Sequence, residues 1–165
     1  MNIARSLARV LAGALLVLTA QAAFADWKYY EAKTYGFSML VPTGVTVRER
    51  EWGSGWGGIN ADYEGVKLYG IAKRGAKATD AEIEAFAVRT IGIPASEWTM
   101  IDSGANQRGW ERYKAFRATS GSKLYFGGYG VGPKGNYLLY LETTTQDYND
   151  HKADYNKWYE SLRLE

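Results

Sequence analysis

The sequence predicts an α+β fold built on a mostly antiparallel sheet. Three observations carry this. Strand-like period-two runs fill most of the chain, and the period changes to about 3.6 in two stretches. Those runs follow one another as meanders, which favours an antiparallel sheet over a doubly wound parallel one. Trp and Tyr are abundant, 6 and 13 of 165 residues, beside 19 glycines; aromatics suit pleated strands and glycine suits the turns between them.

Each element has its own signal. Trp27 to Ala32 reads as an extended lead-in. Phe37 to Val41 is a strand stopped by Pro42, and Thr43-Gly44 turns the chain. Val45 to Trp52 follows, with Val45, Val47 and Glu49 on one side and Thr46, Arg48 and Arg50 on a solvated one. Gly53 to Gly58 is a glycine-rich hairpin region carrying Trp56. Ile59 to Tyr63 and Val66 to Lys73 pair around Glu64-Gly65. Thr79 and Glu82 then form a capping box, and Ile83, Phe86, Ala87 and Ile91 share a helical face that Gly92 and Pro94 end. Ser96 to Asp102 is predicted as a strand around Trp98, and Ser103 to Arg108 as a polar turn. Gly109 to Thr119, Lys123 to Gly132 and Asn136 to Thr144 form a three-strand meander. Tyr137 to Leu141 is apolar on both faces, so the sheet centre should be covered on both sides. Asp147 is predicted to cap one last helix reaching Ser161, with Tyr148, His151, Tyr155, Trp158, Tyr159 and Leu162 on its inner face, before Leu162 to Leu164 closes the chain in extended form.

The first 25 residues say where the protein goes. Arg5 and Arg9 precede an uncharged apolar run, Val10 to Ala20, and Ala23-Phe24-Ala25 is a small-x-small cleavage site. This is the pattern of a secretory signal peptide cleaved after Ala25. The expectation is a single domain, residues 26–165, that is periplasmic or secreted. Two of the 20 basic residues lie in the leader and all 18 acids lie after it, so residues 26–165 are balanced in charge. That balance argues against nucleic acid as a partner. Cysteine is absent, which excludes disulfides, thiol chemistry and a lipidated cysteine.

Two segments resemble a known family. Tyr35-Gly36-Phe37-Ser38-Met39-Leu40-Val41-Pro42-Thr43-Gly44 is similar to the opening of the PsbP-like superfamily. Trp158-Tyr159-Glu160-Ser161-Leu162-Arg163-Leu164 resembles the superfamily's last helix running into its S-F/L-R segment. The resemblance implies an α/β/α sandwich around a central antiparallel sheet, like that of DcrB-type bacterial envelope proteins. It implies an accessory or binding role rather than catalysis, and brings no cofactor and no common active site.

The candidate sites are few. Trp52 and Trp56 flank the glycine-rich turn and either offer an aromatic binding surface or, for Trp56, fold back over a sheet edge. Arg112 and Lys114 share a strand face within a basic cluster completed by Arg108 and Arg117, which reads as a solvated face or as contact with an anionic partner. Glu49, Glu51, Asp62 and Glu64 flank the Trp loop and would supply the acid pair of a hydrolase. Gly53–Gly58 and Gly130–Gly135 both satisfy G-x-G-x-x-G, but neither opens a helix, so nucleotide binding is not expected. His151, the one histidine, lies near Asp147, Asp150 and Asp154, short of a metal ligand set. The reading is an exported, cofactor-free binding protein with an envelope protein as partner, contacted by a sheet edge or the Trp loop. The rivals are a hydrolase and a glycan-binding module.

Overall fold

Seven strands hydrogen-bond in the order β3-β4-β5-β9-β8-β7-β6, every neighbour antiparallel. They are β3 (Val47–Gly53), β4 (Trp56–Tyr63), β5 (Val66–Arg74), β6 (Thr99–Gln107), β7 (Trp110–Ser120), β8 (Lys123–Gly132) and β9 (Gly135–Thr144). The computed structural model describes residues 26–165, and the leader read over residues 1–25 lies outside the described residues. A second sheet joins β1 (Trp27–Ala32), β2 (Phe37–Pro42) and β10 (Arg163–Leu164) in the order β1-β2-β10. Three α-helices complete the fold among the described residues: α1 (Asp80–Ile91), α2 (Thr145–Asp150) and α3 (Lys152–Ser161).

The large sheet is the middle layer. Helix α1 packs Ile83, Phe86, Ala87 and Ile91 against Ile71, Phe116, Tyr129 and Leu138 on one face. The opposite face takes Phe37, Met39 and Val41 from β2 together with Tyr155 and Trp158 from α3. Central β9 is therefore buried on both sides from Gly135 to Leu141, as its double-sided apolar sequence predicts. This is the α+β sandwich the sequence and the resemblance imply.

The α1 capping box forms in full. Thr79 accepts from the Glu82 N–H at 3.3 Å, and the Thr79 N–H donates to the Glu82 carboxylate at 2.7 Å. Gly92, at φ 81°, ends the helix in the left-handed conformation that glycine adopts without strain. Asn136, fully buried, fastens the loop leading into α1. It accepts from the Ala78 N–H at 2.7 Å and donates to the Lys73 and Ala76 carbonyls. All the hydrogen-bonding capacity this requires comes from one amide.

The two family-like segments meet in space. β10 pairs with β2 through Arg163↔Ser38 and Leu164↔Phe37. The Ser161 hydroxyl accepts from the Leu40 N–H at 3.0 Å and donates to the Trp158 carbonyl at 2.6 Å. One buried serine thus ties the end of the last helix to the opening strand.

Three expectations need correction. The predicted strand Ser96 to Asp102 begins instead with a single 3₁₀ turn, Ala95–Glu97, and Trp98 is buried with its indole N–H donating to the Ile93 carbonyl at 3.0 Å. The predicted polar turn Ser103 to Arg108 is mostly strand, because β6 runs to Gln107 along β7 and only Arg108-Gly109 turns. The single last helix is two, broken at His151 (φ −121°, ψ 23°), and its cap is Thr144, which accepts from the Asp147 N–H at 3.1 Å. Asp147 instead accepts from the hydroxyls of Thr143 (2.5 Å) and Tyr155.

Candidate functional site

Consecutive positive φ angles at Gly53 (81°), Ser54 (52°) and Gly55 (80°) close the β3–β4 hairpin. Trp56 is the first residue of β4, is 5% exposed, and stacks flat on Phe86 of α1 at 3.8 Å between ring centroids. Of the two readings of Trp56, the structure has the one in which it folds back: the helix offers it an apolar partner, and stacking there removes a large ring from water. Trp52 is half-buried, edge-on to Tyr69 at 6.5 Å, with the Arg50 guanidinium 5.3 Å from its ring centroid.

The two tryptophans form one wall of a cleft of about 390 Å³ between the sheet and the C-terminal turn of α1. Register explains its floor. Directly opposed residues of an antiparallel pair project from the same face. Tyr69 opposes Tyr140, and Glu142 opposes both Lys67 and Tyr125, so these side chains stand together where α1 has ended. Tyr69 and Tyr140 stack at 4.6 Å. Glu142 Oε1 takes the ammonium groups of Lys123 at 2.9 Å and Lys67 at 3.9 Å. Arg89 and Thr90 reach the rim from α1. Burial first, then the Glu142 charge or a neighbouring tyrosine, raises the Tyr69, Tyr125 and Tyr140 phenols above their ordinary value, so all three are neutral hydroxyls at neutral pH.

The four acids do not gather into one site. Glu49 and Glu51 oppose Ile59 and Gly57 on the face away from α1. Asp62 opposes Lys67 on the α1 face and lies 3.8 Å from Arg48. The sheet itself therefore separates the pair from Asp62, and Glu64 sits in the β4–β5 turn at φ 38°. Among the described residues, no three His, Asp or Glu side chains converge as a metal site would require. His151 lies 3.8 Å from Asp147 and 4.0 Å from Asp154. Both G-x-G-x-x-G segments are hairpins, Gly53–Gly58 running into β4 and Gly130–Gly135 joining β8 to β9.

The basic cluster disperses. Arg112 donates to Asp80 at 2.7 Å and to the Ala78 carbonyl at 2.5 Å, tying β7 to the start of α1. Arg108 donates to the Tyr159 carbonyl at 2.9 Å and lies over the Tyr159 ring. Lys114 alone of the predicted pair faces an open groove, beside Glu84, Met100 and Asp102.

Sequence reasoning missed the edge strand beside that groove. Among the described residues, β6 has β7 on one side and no strand on the other. Its residues are exposed throughout except Gly104, and Asp102 is its one charge. A bulge between Met100 and Asp102 leaves Met100 47% and Ile101 49% exposed. Ile101 borders two grooves, of about 710 Å³ and 410 Å³. Tyr113 holds the bulge by donating to Asp102 at 2.7 Å; burial, then this bond, pushes the phenol up to about 12. The opposite edge strand, β3, carries Arg48-Glu49-Arg50-Glu51, the alternating charge that keeps sheet edges from pairing. The available signal was two adjacent large apolar residues in an otherwise polar segment.

Neither a family model nor a curated protein sequence matches the chain. The solution structure of cyanobacterial PsbP (CyanoP) from Synechocystis sp. PCC 6803 is similar to it, with a TM-score of 0.59 and 15% identity over 91% of this chain and 99% of that one. At that identity the likeness establishes the fold, and the fold is PsbP-like.

Proposed function

We propose that this PsbP-like chain is a non-catalytic accessory protein of the bacterial cell envelope that binds another envelope protein along β6. In this reading residues 1–25 are the secretory leader, removed after Ala25, and residues 26–165 act as one domain in the periplasm or outside the cell. The observation that carries the reading is the unpaired β6 edge, nearly uncharged and bearing exposed Met100 and Ile101 between two grooves. An extended partner segment adds its main-chain hydrogen bonds to such an edge, and its alternate side chains fill the flanking grooves. The accessory role implied by the PsbP-like resemblance points the same way.

Ile101→Lys puts a charge on the edge at an exposed position, where it leaves the fold intact. In a sized envelope extract, the wild-type protein should elute within a larger complex and Ile101→Lys as the free protein. Ser54→Lys, at the β3–β4 hairpin, should elute with the complex. Elution of the wild type as free protein, or loss of the complex with Ser54→Lys alone, would sink the reading.

A further inference from the structure

We propose that the cleft behind the β3–β4 hairpin binds an anionic saccharide: one or two pyranose rings carrying a carboxylate or a phosphate. The site is separate from the β6 edge and does not depend on it.

Hydroxyl recognition comes first. Tyr140 is 3% and Tyr125 7% exposed, and among the described residues the hydroxyls of Tyr69, Tyr125 and Tyr140 make no hydrogen bond to a protein group. All three line the cleft. Their rings are held by the protein while their hydroxyls stay uncommitted, so a ligand in the cleft can donate to them or accept from them. Beside them Glu142 spends Oε1 on two lysines, which leaves Oε2 to accept from a sugar hydroxyl. Arg50, Arg89 and Glu142 line the cleft beside the tyrosine hydroxyls, which disfavours a fatty anion. The half-buried Trp52 supplies the flat apolar surface on which the C–H face of a pyranose packs.

Charge comes second. Arg50 and Arg89 reach the mouth from opposite sides, one from β3 and one from α1. Neither makes an ion pair among the described residues. Lys67 and Lys123 pair with Glu142, the one carboxylate that lines the cleft, so the two guanidiniums are left over. The surplus is positive, and a guanidinium takes a carboxylate or phosphate through two parallel hydrogen bonds.

The test is titration calorimetry with Trp fluorescence on the purified protein, using D-glucuronate, D-glucose 6-phosphate and D-glucose. At least one acid sugar should bind saturably, quench tryptophan, and weaken with added salt; glucose should bind about tenfold more weakly or not at all. The tighter of the two acids identifies the carboxylate or the phosphate as the natural anion. Arg89→Gln should bring the acid sugars down to the level of glucose, and Tyr140→Phe, which keeps the ring, should weaken them severalfold. Arg89 is exposed, so its variant keeps the wild-type melting temperature and a lost affinity is read directly. Absence of saturable binding by both acids overturns the proposal. So does acid-sugar binding that Arg89→Gln leaves unchanged, and so does equal affinity for glucose. Partner binding at β6 is read in a different experiment, so either proposal fails without the other.

Discussion

Gly70 carries no side chain because Phe37 occupies the place where one would stand. A Cβ there would meet the Phe37 ring at 2.3 Å, and that ring is fully buried between the two sheets. Gly70→Ala should therefore overpack the core and cost about 1–3 kcal/mol, read by urea unfolding. A cost near zero would mean that β2 and β5 are not in contact. Such pairings explain what single positions do not reveal. Trp56 reads as a loop residue because its neighbours are glycines, while its partner Phe86 lies on a helix later in the chain. The same holds for Arg112, whose partner Asp80 comes from another element. A residue's type was legible at these positions, but its neighbour across the fold was not.

Elements were legible where their signals are local. The α1 boundaries follow from Thr79, Glu82 and Gly92, whose bonding lies within a few residues. Thr79→Ala should lower stability by about 0.5–2 kcal/mol, read by thermal or urea unfolding. The cap also has a pH signature. The Thr79 backbone N–H, then its hydroxyl, holds the Glu82 carboxyl below its ordinary value of 4.5. A lowered folded-state value stabilises above the ordinary one, and the benefit fades as pH falls through the lowered value. The gap in melting temperature between wild type and Glu82→Gln should thus narrow from about pH 6 to about pH 3. A gap that widens toward acid would contradict the cap. β6 was illegible because alternation marks a strand only when one face is buried, and nearly all of β6 is exposed. The break at His151 was hidden because Tyr148 and Tyr155 keep an inward rhythm across it, stacking at 5.9 Å.

At the scale of the whole molecule, the tyrosines set the alkaline limit. Burial is the first cause raising Tyr113 to about 12, and it raises Tyr129, Tyr140 and Tyr155 further. Unfolded tyrosine ionises near 10.0. A raised folded-state value leaves stability intact below that pH and removes it as pH rises toward the folded values. Phenolate absorbance should show Tyr113, Tyr129, Tyr140 and Tyr155 ionising only as the fold is lost. All 13 titrating smoothly near pH 10 would contradict the packing. The layered architecture itself was legible: meanders gave the antiparallel sheet, double-sided β9 gave a cover on each face, and the two family-like segments proved to be neighbours through Ser161. Which sheet edge stays open was not legible, since strand order depends on pairings that no local pattern specifies.

The most direct test of the accessory role is site-specific photo-crosslinking in living cells, with the reactive group at Ile101 on β6 and, separately, at Glu49 on β3. One discrete protein adduct from Ile101 and none from Glu49 is the predicted result. No adduct from Ile101, or an adduct from Glu49 in its place, would contradict the account.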